Sequence, residues 1–152
     1  MPSREEGDMN RRDVLIGAGA LAVAGGALAQ EAKAEHEHKM GGGKNGALIA
    51  AAHHCMAAAD VCLNHCIDML AAGDKSLQAC ARSVEQMRAM IGALATMAAI
   101  NAPRLKEMAA LCAKTCRDCE AECKKHEQHP ECKACGEACN RCAAECDKTA
   151  AT

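Results

Sequence analysis

Between residues 47 and 150 the apolar positions recur at alternating steps of three and four, the spacing that keeps side chains on one stripe of an α-helix. Over 47–72 the stripe reads Leu48, Ala52, Cys55, Ala59, Cys62, Cys66 and Met69. Over 77–100 it reads Leu77, Cys80, Val84, Met87, Ile91, Leu94 and Ala98, and over 103–127 Leu105, Ala109, Cys112, Cys116, Cys119, Cys123 and His126. Over 131–150 it consists of Cys132, Cys135, Cys139, Cys142 and Cys146 alone. Intervening positions such as Lys114, Arg117, Glu120, Lys124, Glu137, Arg141 and Glu145 are charged and face outward. Gly73-Asp74-Lys75-Ser76, Asn101-Ala102-Pro103 and His129-Pro130 interrupt the pattern with cap and helix-start chemistry. Four helices of about 30 to 38 Å with short connections predict an all-α fold, an antiparallel up-down-up-down four-helix bundle with a Cys-lined core.

The chain ahead of the bundle reads differently. Asn10-Arg11-Arg12-Asp13 precedes a Gly/Ala-rich apolar stretch ending at Ala27-Leu28-Ala29, the pattern of a twin-arginine export signal cleaved before Gln30. The apolar run is shorter than the roughly 20 residues of a membrane helix and no stop-transfer charges follow, so stable membrane insertion is not expected. Residues 30–46 are polar and contain Gly41-Gly42-Gly43, which reads as a flexible arm. The expected division is thus a signal over 1–29, an arm over 30–46 and a metal-binding bundle over 47–152. Export through the twin-arginine pathway implies a periplasmic or internal-membrane-associated, oxidising location.

Composition narrows the function. The chain has 152 residues with 13 Cys, 9 Met, 7 His and no Phe, Trp or Tyr. That length fits one domain and excludes a multidomain enzyme. A net charge of -2 offers no basic field for nucleic acid, and an aromatic-free chain has no platform on which bases could stack. No Gly-x-Ser-x-Gly, phosphate loop or His-Glu-x-x-His is present, so no catalytic constellation is visible.

All thirteen cysteines fall on the helical stripes, so every thiol is expected to point into the bundle axis. Burial as small hydrophobes explains one or two such residues and not a whole seam. Disulfides fit poorly: Cβ atoms at i and i+3 or i+4 are about 5 to 6 Å apart, a bridge wants about 3.8 Å, and an odd count leaves a thiol over. Soft thiolates select Cu(I), zinc and iron–sulfur clusters. Zinc wants four tetrahedral ligands, normally presented from loops. Cys112/Cys116/Cys119 and Cys135/Cys139/Cys142 match the Cys-x3-Cys-x2-Cys spacing that holds an iron–sulfur cluster in radical enzymes, but that cluster sits on a loop of a far larger barrel. Here the spacing runs on through Cys123 and Cys146, as helical periodicity requires. Cu(I) accepts two or three sulfurs and lets a thiolate bridge two ions, and equal numbers of Cu⁺ and thiolate sum to zero charge inside the bundle. The candidate ligands are therefore Cys55, Cys62, Cys66, Cys80, Cys112, Cys116, Cys119, Cys123, Cys132, Cys135, Cys139, Cys142 and Cys146, binding multiple Cu(I).

Cys112-x3-Cys116-x2-Cys119-x3-Cys123 and Cys132-x2-Cys135-x3-Cys139-x2-Cys142-x3-Cys146, within residues 47–150, resemble the bacterial copper storage proteins. The resemblance implies a four-helix bundle filled with Cys-bound Cu(I) and assembly as a homo-tetramer; with no catalytic constellation visible, the chain reads as a non-enzyme. With the leader it is similar to the exported branch, which implies supply of copper to exported or membrane copper enzymes such as particulate methane monooxygenase. Three other readings stay open on the residues: an exported iron–sulfur electron carrier, a zinc- or copper-detoxifying metallothionein-like chelator, and a disulfide-stapled interaction protein.

Outside the seam, His36, His38 and Met40 form a His-x-His-x-Met arm able to offer further copper ligands, of which His36 and Met40 are candidates; the alternative is a solvated arm. His65, His126 and His129 are expected to gather where the first and third helices finish. Met56, Met69, Met87, Met90, Met97 and Met108 read as flexible core filling.

Overall fold

The computed structural model describes residues 43–152; the expected signal, most of the arm, and His36, His38 and Met40 lie outside them. Four helices follow in order: α1 (Gly46–Ala71), α2 (Gln78–Ala99), α3 (Leu105–Lys124) and α4 (Pro130–Ala151).

Local chemistry explains each boundary. Gly73 takes a left-handed conformation (φ 95°), and the amides of Gly73 and Asp74 donate back to Leu70 and Met69, both at 3.0 Å. This Schellman arrangement satisfies the last carbonyls of α1. Asp74 then accepts a 2.9 Å bond from the Ser76 amide and opens a short 3-10 turn over Lys75–Leu77, so α2 begins one residue later than its hydrophobic pattern suggests. Asn101 repeats the device at the end of α2: its φ is 50°, and Ala102 donates to Met97 at 2.9 Å. Asparagine is among the few residues that tolerate this region. What reads in sequence as the start of a helix is therefore the stop of the one before it, and α3 opens at Leu105 rather than at residue 103.

At the other end of α3 the Lys125 and His126 amides reach back only three residues, to Glu122 and Cys123. That tightening ends the regular helix at Lys124, short of residue 127, and puts His126 in the following turn. Pro130 stands in the first turn of α4, where its missing N–H costs nothing.

Each helix packs against its neighbours in the ring α1, α2, α3, α4 and back to α1, and the diagonal pairs make no backbone contact among the described residues. The predicted up-down-up-down bundle is the observed one. Within the described residues no strand occurs. Ion pairs stitch neighbours on the outside: Arg88 to Asp60 at 2.6 Å between α2 and α1, and Arg117 to Asp147 between α3 and α4. Gly136 faces the Cys123 Cβ so closely that a methyl there would stand 3.3 Å from it, which lets α4 approach α3. By length and hydropathy α1 could cross a membrane; here its inner stripe of Leu48, Ala52, Cys55, Ala59, Cys62 and Cys66 is core.

Candidate metal centre

All thirteen thiols are fully buried and none is in a disulfide. The seam expected from spacing alone is the observed core apart from its ends: Met69 is half-buried and His126 lies past its helix. Aliphatic side chains occupy the rest, with Leu77, Val84, Met87, Ile91 and Leu94 all inside.

The helices bring the sulfurs together across the axis. Cys62, Cys66, Cys80 and Cys132 lie with their Sγ atoms all within 4.8 Å of one another. The same limit unites Cys55, Cys116 and Cys142, then Cys62, Cys123 and Cys135, then Cys119, Cys135 and Cys139. Cys62 and Cys135 each belong to two groups and so link three of them, and Cys55, 3.8 Å from Cys139, ties in the fourth, making one continuous array. Cys62 to Cys132 at 3.7 Å and Cys80 to Cys123 at 3.9 Å join it further. Cys112 and Cys146 stand outside these groups, at the level of Cys142, with Cys112 donating to the Met90 carbonyl at 3.6 Å.

Metal-free thiols at such distances share protons. The thiols of Cys116, Cys139 and Cys142 converge on Cys55, and those of Cys123, Cys135 and Cys80 on Cys62. Cys119 sits between Cys123, Cys135 and Cys139. These three are held below the ordinary thiol range, because converging donors stabilise a thiolate. Their donors Cys123 and Cys139 are held up. Burial pushes Cys66 up to about 11 and Cys112 up to about 12. Such an array is mostly protonated at neutral pH and exchanges protons for soft cations.

The two ends of the bundle differ. Leu48, Ala98 and Leu105 close the end where α1 begins, and Asn45 ties that end by donating to the Ala98 carbonyl at 3.0 Å. At the other end His65 and His129 share a 3.0 Å ring-nitrogen hydrogen bond, with Glu131 3.7 Å from His65. Of the three histidines expected to gather there, these two meet.

Spacing missed one sulfur contact. Met87, assigned to filling, places its Sδ 3.5 Å from Cys55 Sγ; its seam position between Val84 and Ile91 is the only trace of this in the sequence.

Comparison with known proteins agrees with the geometry. Residues 43–151 match the family model described as copper storage protein. The uncharacterized cysteine-rich protein YhjQ of Bacillus subtilis is 39% identical over 90 residues, covering 59% of this chain and 80% of that one. Apo copper storage protein 3 from Bacillus subtilis superposes with a TM-score of 0.61 at 33% identity, covering 68% of this chain and 96% of its own. The Cu(I)-bound copper storage protein BsCsp3 gives 0.62 at 32%, covering 68% and 95%. With more than half its length matched and its cysteines gathered along one bundle axis, the chain belongs to the copper storage protein family.

Proposed function

We propose that the bundle stores Cu(I), taking up about one ion per thiol through bridging thiolates. The observation that carries this is the core itself: thirteen fully buried, unpaired thiols on all four helices, eleven of them in one continuous array. Such an array suits an ion that takes two or three sulfurs and shares them, and the Cu(I)-bound relative supports the choice of metal. The ligands are the thirteen seam cysteines, with His36 and Met40 of the arm adding outer ones. Release of a proton for each protonated thiol keeps the buried charge near zero.

The remaining parts of the reading rest on sequence and resemblance. Residues 1–29 act as a twin-arginine signal and the residues from 30 to the turn before α1 as an arm, so the protein works in the periplasm or an internal-membrane lumen. It assembles as a homo-tetramer and hands copper to exported or membrane copper enzymes such as particulate methane monooxygenase, without catalysis of its own. Replacing Arg11 and Arg12 with Lys should leave unprocessed precursor in the cytosol; normal export of that variant would refute the assignment of the leader.

A second reading, a zinc-binding chelator, is favoured by one feature: Cys62, Cys66, Cys80 and Cys132 form a group of four, the number zinc requires. Anaerobic titration of the reduced protein separates the two. Cu(I) uptake is expected to approach one ion per thiol, whereas zinc at four ligands each stops near three. With no Trp or Tyr in the chain, near-ultraviolet absorbance rising during the titration reports copper–thiolate bonds. Saturation below about five Cu(I) per chain would overturn storage.

A further inference from the structure

The geometry points to Met87 as a thioether ligand of the copper array, supplying sulfur from α2 midway along the bundle, where that helix carries no thiol. The inference rests on the Cu(I) reading above and extends its ligand set beyond cysteine.

At the level of Cys55, α1 contributes that thiol, α3 contributes Cys116 and α4 contributes Cys139 and Cys142. On α2 the seam residues there are Val84, Met87 and Ile91, so no thiol faces the ion from that side. Met87 fills the gap with sulfur. Its side chain has no exposed surface, while Met56, Met69, Met90, Met97 and Met108 are all partly exposed. Its Sδ lies 3.5 Å from Cys55 Sγ, and that thiol lies 3.8 Å from Cys139 Sγ. Two sulfurs bound to one ion at metal–sulfur lengths of about 2.3 Å and a trigonal angle stand about 4 Å apart. Both separations therefore need only a few tenths of an ångström of adjustment, within reach of a side chain with three rotatable bonds.

The chemistry is selective. A thioether is soft and never ionises, so it serves Cu(I) and offers little to zinc. A Cu⁺ held by three thiolates carries two surplus negative charges; exchanging one thiolate for Met87 removes one of them. That matters where the α2 wall is Val84 and Ile91, because a surplus anion is costly against aliphatic side chains.

The test uses the full chain labelled with ¹³C at the methionine methyl groups and titrated anaerobically with Cu(I), the Met87 resonance being assigned by its loss in Met87→Leu, a volume-conserving exchange. The Met87 methyl is expected to shift as copper enters, further than those of Met69 and Met108, and Met87→Leu is expected to take up copper still. Selenomethionine-substituted protein carrying Met40→Leu, which removes the other candidate thioether ligand, gives a readout that needs no assignment: a short copper neighbour at the selenium edge, lost on adding Met87→Leu. Should that variant fail to fold, Met87→Ile serves instead. Copper uptake with an unmoved Met87 methyl, or with the same selenium-edge spectrum with and without Met87, overturns this inference alone. No copper uptake at all overturns the storage reading and this one with it.

Discussion

α2 and α4 are both 22 residues long and stand diagonally across the bundle, yet they line it with different atoms. α2 buries Val84, Met87, Ile91, Leu94, Ala95 and Ala98 around a single thiol, Cys80. α4 buries five thiols and otherwise only Gly136, Ala138 and Ala143. One wall supplies the apolar area that folds a chain without aromatic residues; the other supplies ligands. Protonated cysteine is itself small and apolar, so α4 still packs when metal is absent. Holding the scaffold falls mainly to α2 and holding the cargo mainly to α4, so the two can be perturbed separately.

The largest effect is expected from emptying the ligand wall. Cys135→Ala, Cys139→Ala and Cys142→Ala combined should lower Cu(I) capacity by about three ions or more, since each sulfur bridges neighbours, whereas Cys80→Ala on α2 should cost about one. Anaerobic titration of both variants measures this. Equal losses would erase the distinction between the walls.

The reciprocal change strikes stability. Ile91→Ala removes most of a fully buried aliphatic side chain and should cost about 2–5 kcal/mol, while leaving copper stoichiometry intact. Urea unfolding of the metal-free protein reads the cost. The same protein before mutation should already show a helical far-ultraviolet spectrum without metal, and adding Cu(I) should raise its melting temperature by mass action. A coil that becomes helical only on adding copper would mean that α2 does not carry the fold.

Acid should loosen copper from the array. Cys66 and Cys112, pushed up by burial to about 11 and about 12, are protonated at pH 7 and must give up a proton to bind. Lowering the pH therefore favours the metal-free form, and affinity should rise with pH by up to about tenfold per unit for each such proton released. Cys55, Cys62 and Cys119, already held low, release fewer, so total proton release should fall below one per thiol. Chelator competition across pH 6 to 8 gives the slope, and a flat profile would contradict the protonated array.

The smallest effect expected is at the seam between the ligand helices. In Gly136→Ala the added methyl would meet Cys123 Cβ at 3.3 Å, an atom fixed to the α3 backbone. Crowding should outweigh the gain in helix propensity and cost about 1 kcal/mol net. Thermal unfolding that shows the variant more stable would mean that α3 and α4 can part without loss.

Much of this was legible in the chain. Alternating steps of three and four place Cys112, Cys116, Cys119 and Cys123 on one stripe whatever the helix packs against, because 3.6 residues per turn is a property of the backbone. The same arithmetic put all thirteen thiols inside and the charges of Lys114, Arg117 and Glu137 outside. Gly73 and Pro130 marked two of the breaks by their conformational limits. The role of Asn101 was hidden, since one side chain can cap a helix start or take the left-handed turn that ends one, and the bond from Ala102 to Met97 decides between them. Periodicity fixes the face of a helix but not its axial offset from the next. That Cys62 meets Cys132, that His65 finds His129 and that Met87 reaches Cys55 depend on how two Schellman turns, one proline turn and the close approach at Gly136 slide the helices past one another. Those offsets are set by the packing of the whole bundle, which only the tertiary structure decided.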